Sequence, residues 1–73
     1  MSRHHFAICI DDSGYEASLE RRKLYETLPD EDAAREGFIR VIDESGDDYL
    51  YQRERFAPIE LPKPIEEAVL KLA

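Results

Sequence analysis

The chain has 73 residues, a formal net charge of −7, and 42% hydrophobic against 37% charged side chains. That length admits one small domain, which must rest on its own apolar core, because a lone cysteine, Cys9, excludes an internal disulfide. The balance of apolar and charged residues is that of a folding chain, not a disordered tail. The acidic excess excludes a generally basic, phosphate-neutralising surface.

No apolar run approaches a membrane span, and the N-terminus lacks the hydrophobic region of a signal peptide. Together with the free thiol, this makes the cytoplasm the expected compartment.

The first element expected is a strand over residues 6–10. Phe6-Ala7-Ile8-Cys9-Ile10 is short and rich in β-branched residues, and Asp11-Asp12-Ser13-Gly14 stops it with turn chemistry. Alternation puts Phe6, Ile8 and Ile10 on one face and Ala7 and Cys9 on the other. The stretch after Gly14 favours helix by composition, yet Leu19, Leu24, Tyr25 and Leu28 form no helical stripe. Leu24, Glu26 and Leu28 alternate as in a half-buried strand. The reading is a long loop and then a strand over residues 22–28 with one buried face. Pro29 closes it.

Asp30 is an N-cap candidate, with acids in the turn that follows, and Gly37 is a natural stop. A single helical turn over residues 31–36 follows. A strand over residues 38–43, a turn at Glu44-Ser45-Gly46-Asp47 and a returning strand over 48–52 make a hairpin. Its tyrosines, Tyr49 and Tyr51, share one face, and Leu50 lies on the other. Arg53-Glu54-Arg55 is long enough only for a tight turn. Residues 57–61 read as a last strand, which Pro58 confines to a sheet edge or a strand start. A helix over residues 63–72 ends the chain, with Pro64 in its first turn, Glu66 and Glu67 near its positive end and Lys71 near its negative end. Ile65, Ala68 or Val69, and Leu72 would form its apolar face. Ile10-Asp11-Asp12-Ser13-Gly14 and Ile42-Asp43-Glu44-Ser45-Gly46 use the same strand-to-turn chemistry without making a repeat.

This order (strand, long loop, strand, short connection, hairpin, tight turn, short strand) resembles the SH3-like small β-barrel. The likeness is most concrete over residues 46–61, where Leu50-Tyr51 match the end of the penultimate strand and Phe56 the aromatic after a 3₁₀ turn. It implies a mainly β fold: a five-stranded SH3-like barrel over about residues 4–61, with the short helix appended, all in one domain. Polyproline recognition is not implied. Gln52 stands where that groove has proline, the chain has no tryptophan, and Tyr15 is the only tyrosine near the first loop. The chain as a whole is also similar to a group of uncharacterised small bacterial proteins of about this length, which implies no function.

Candidate chemistry is sparse. Cys9 lies between two isoleucines in a core strand, which favours a structural thiol over a nucleophile. His4 and His5 are adjacent, so a strand sends them to opposite faces, and they make a poor metal pair. Asp43, Ser45, Asp47 and Glu54 fall at calcium-loop spacings, but Asp48 occupies the position where the sharp bend needs glycine, and strands flank the turn where helices are needed. No phosphate loop, nucleophile elbow or Ser/His/Asp order is present. No cofactor and no enzymatic activity are expected.

What remains is aromatic and basic. Tyr25, Tyr49, Tyr51 and Phe56, with Arg53 and Arg55 beside them, are the candidate binding patch, since Tyr and Arg dominate interface hot spots. The alternative is that Phe56 is core and the tyrosines are cross-strand partners. The expected role is a non-enzymatic protein-interaction module whose partner carries a basic surface. Two other roles remain open: a nucleic-acid accessory domain using Arg21, Arg22 and Lys23, and a homo-oligomer joined through the C-terminal helix.

Overall fold

A computed structural model describes residues 4–72 of the chain. Its elements are β1 (His5–Cys9), β2 (Leu24–Leu28), α1 (Glu31–Arg35), β3 (Phe38–Ile42), β4 (Asp48–Gln52), a 3₁₀ turn (Arg53–Arg55), β5 (Phe56–Ile59) and α2 (Lys63–Leu70). The strands form one antiparallel sheet in the order β4-β3-β2-β1-β5. It is not closed: β4 and β5 are its two edges. Even so, the rings of Tyr51 on β4 and Phe56 on β5 lie 6.0 Å apart, so the sheet bends back on itself around its interior face.

The hairpin and the turns form where residue chemistry places them. Asp30 caps α1 by accepting from the Ala33 N–H at 3.0 Å. Gly37 and Gly46 take φ values of +83° and +86°, conformations that cost other residues more. Between β1 and β2 the chain makes a long loop of successive turns, and Leu19 drops from it into the core. At the loop's end Arg22 adopts φ +73° and donates its N–H to the Cys9 carbonyl at 2.7 Å, returning the chain into register with β1.

On the first two strands the large aliphatic side chains are not the most deeply buried. Ala7 and Cys9 are fully buried while Ile10 is 53% exposed. On β2, Tyr25 and Thr27 are buried and the leucines are half-buried. The reason is volume. Ala7 stands between Tyr25 and Pro58, and Cys9 opposite Phe56, so small residues on this interior strand make room for large rings from its neighbours. Tyr25 and Phe56 meet edge to face at 6.3 Å, and Val41 and Leu19 complete the core.

The outer elements also shift. β2 begins at Leu24 instead of residue 22, and β5 spans Phe56–Ile59 because its pairing with β1 starts at Cys9 and ends at Phe6. Pro58 is accommodated because β5 is an edge. Helix α2 ends at Leu70, short of the expected residue 72; Glu66 is its buried side chain, Val69 is half-buried, Ile65 is 50% exposed, and Leu72 lies beyond the helix in solvent.

Candidate functional site

The five expected patch residues separate into two groups. Tyr25, Tyr51 and Phe56 are core side chains, and Tyr51 is 4% exposed. Tyr49, two residues from Tyr51 on the same face of β4, is 52% exposed, and Arg53 is exposed on the 3₁₀ turn. The rings are drawn in because the bent sheet encloses the face to which Tyr51 and Phe56 belong. One continuous surface of all five therefore does not form.

Both buried phenols are held by carboxylates at the β3–β4 turn. Tyr51 donates to Asp43 at 2.6 Å, and its hydroxyl also bonds that of Ser18 at 3.1 Å. The Ser45 N–H and hydroxyl donate to the other Asp43 oxygen at 2.9 and 2.6 Å. Burial opposes ionisation of Asp43, but these donors outweigh it and hold the carboxyl below its ordinary value. Tyr25 donates to Glu44 and accepts the Glu20 N–H at 2.7 Å, and Lys23 pairs with Glu44 at 2.6 Å. Lys23 and then Tyr25 lower the Glu44 pKa, while burial, and next the Glu44 bond, raise that of Tyr25. The turn that fits calcium-loop spacing is thus tied to tyrosines, serine and lysine. Among the described residues no group of three or more His, Cys, Asp or Glu side chains could hold a metal ion.

The loop between β1 and β2 adds an aromatic that sequence reasoning set aside. Tyr15 stands edge-on to Tyr51 at 5.0 Å, and the Arg55 guanidinium covers its face at 4.7 Å. Arg55 is itself fixed, donating to the Ser13 carbonyl at 2.8 Å and to Gln52 Oε1 at 2.7 Å. Tyr15 remains 37% exposed. Asp11, Asp12, Glu16 and Glu20 lie along the same loop. Its distance in sequence from Arg55 hid this stack.

The other candidates are dispersed. Cys9 is buried, and burial pushes its thiol pKa up. His4 bonds Glu26 at 2.8 Å, and His5 pairs across from Thr27 on β2. Lys23 of the basic triplet is engaged by Glu44, leaving Arg21 and Arg22 exposed. At the far end of the sheet an open groove of about 760 Å³ is walled by Phe6, Leu28, Ile39, Pro58, Ile59 and Leu61. Among the described residues no helix is long and apolar enough to cross a membrane.

Comparison with protein-family models, curated proteins and solved structures gives no match.

Proposed function

We propose that the chain is a non-enzymatic protein-interaction module of SH3-like barrel type. Support for the barrel type comes from β1 pairing with both β2 and β5, the long loop after β1, and the 3₁₀ turn between β4 and β5. The partner is a protein with a basic surface. It docks on the face carrying Tyr15 and Tyr49.

The observation that carries this reading is the stack of Arg55, Tyr15 and Tyr51. An exposed aromatic ring held from two sides loses little freedom on binding, which is the property of an interface anchor. The loop acids around it and the net charge of −7 draw a cationic partner and repel acidic ones. The test is capture from native lysate by the wild type and by a folded Tyr15→Ala/Tyr49→Ala variant, at low and high salt. A basic protein that is retained by the wild type, released by salt and lost by the variant supports the reading. Equal capture by both proteins sinks it.

A further inference from the structure

Among the described residues β4 is an edge strand, hydrogen-bonded only to β3. Which of its backbone groups face outward follows from two bonds. Arg53 donates its N–H to the Gly37 carbonyl at 3.0 Å, and Asp43 donates its N–H to the Asp47 carbonyl at 3.1 Å. Hydrogen-bonded pairs alternate along an antiparallel ladder. With the observed register, Tyr49 and Tyr51 therefore turn their backbone groups toward Val41 and Ile39. Asp48, Leu50 and Gln52 turn theirs to the open side.

The side chains along this edge are complementary to themselves in reverse. Leu50 sits at the middle of β4 and is 44% exposed. Three residues before it stands Asp47 and three after it stands Arg53, both exposed, and among the described residues neither side chain has a charged partner. We propose that two copies of this chain associate edge to edge through β4, antiparallel, with Leu50 on the two-fold axis.

In that register Leu50 exchanges both backbone bonds with Leu50 of the second copy, and Asp48 exchanges bonds with its Gln52. Tyr49 lies across from Tyr51 of the second copy in a pair without mutual backbone bonds. Asp47 meets Arg53 of the second copy at each end, so the two free charges of one edge are answered by the two of the other. The contact is isologous and closes at two copies. It also removes an unprotected edge, whose centre carries leucine where sheet proteins commonly place lysine or proline. The inference is independent of the basic partner proposed above; if both hold, pairing joins two aromatic faces on one continuous sheet.

The net charge of −7 on each copy opposes association, so the measurement belongs at about 0.15 M salt, where the screening length is about 8 Å. Sedimentation velocity of the full chain, from low micromolar to near-millimolar concentration, is expected to show a monomer–dimer equilibrium. Leu50→Lys should abolish the dimer while leaving circular dichroism and thermal unfolding of the monomer unchanged. Asp47→Arg should weaken the dimer by setting like charges against each other at both ends of the contact, and Asp47→Arg/Arg53→Asp should restore it. A monomer at every concentration overturns the proposal. So does a dimer that Leu50→Lys leaves intact, or one that the double reversal does not restore.

Discussion

Tyr51 donates its phenolic hydroxyl to the Asp43 carboxylate at 2.6 Å, in the buried region where the end of β3 meets the loop that follows β1. One bond thus joins the hairpin to its own turn, and the neighbouring hydroxyl of Ser18 brings the loop into the same network. A charged acceptor makes such a bond worth more than a neutral one.

Tyr51→Phe removes this bond and leaves Asp43 with Ser45 alone. The expected loss is about 2 kcal/mol by urea denaturation at neutral pH. A loss within error of zero would mean that water replaces the phenol at no cost.

Stability should fall at both ends of the pH range, for opposite reasons. Asp30, Asp43 and Glu44 have lowered folded-state pKa values. The cause at Asp30 is first the Ala33 N–H and then Arg40; at Glu44 it is Lys23 and then Tyr25; at Asp43 the bonds from Ser45 and Tyr51 overcome burial. Their contribution is complete above the unfolded carboxyl values of about 4 and is lost as pH falls through the folded ones. Tyr25 and Tyr51 are shifted upward, by burial first and then by their carboxylate acceptors. Unfolded phenols ionise near pH ~10, so stability declines as pH rises past that value. Urea midpoints across pH should trace both limbs, and Tyr51→Phe should flatten each. A flat profile above pH ~10 would contradict the buried phenols.

Cys9 should be inert in the folded protein. Burial raises its thiol pKa, and the Asp11 N–H lowers it only in part. A thiol-disulfide reagent is expected to label Cys9 only after urea unfolds the chain. Cys9→Ser should cost about 1–3 kcal/mol, because a hydroxyl enters a core site between rings. Rapid labelling in native buffer would refute the placement.

Asp30 caps α1 and also pairs with Arg40 at 2.9 Å, while Arg40 reaches Asp48 at 2.8 Å. Asp30→Ala should cost about 1 kcal/mol for the cap, and up to about 1 more for the half-exposed ion pair. Asp30→Asn keeps a capping oxygen and loses only the charge. Thermal melts should therefore rank wild type above Asn and Asn above Ala. Equal melting of the two variants would remove the cap from this account.

The sheet core and the exposed segment after α2 make a paired comparison. Val41 is fully buried, so Val41→Ala should cost about 2 kcal/mol. Leu72→Ser, at an exposed site, should stay within about 0.5 kcal/mol. A large effect at Leu72 would place it in an interface.

How far the sequence carried depended on whether the deciding physics was local. The β4 bounds, the tight turn at residues 53–55, the Asp30 cap and the Gly37 stop all rest on a few neighbouring residues, and each stands where local chemistry puts it. The inward face of β1 does not. Hydropathy ranks Ile8 and Ile10 above Ala7 and Cys9, and it is the bulk of Tyr25 and Phe56 from other strands that gives the small residues the deepest places. The same holds for Tyr15, which gains meaning from Arg55 across the fold. For α2, helical spacing marked an apolar face, but the buried side chain of the helix is Glu66.

The strand order has a consequence in time. Phe6 on β1 pairs with Ile59 on β5, whereas the partners within the β3–β4 hairpin lie close along the chain. Closing the short loop is entropically cheap and closing the long one is slow. The hairpin is therefore the natural nucleus, and β1 waits half-paired for β5. During synthesis this interior strand emerges first and is completed last, so Ala7 and Cys9 stay uncovered on one side until nearly the whole sheet has left the ribosome.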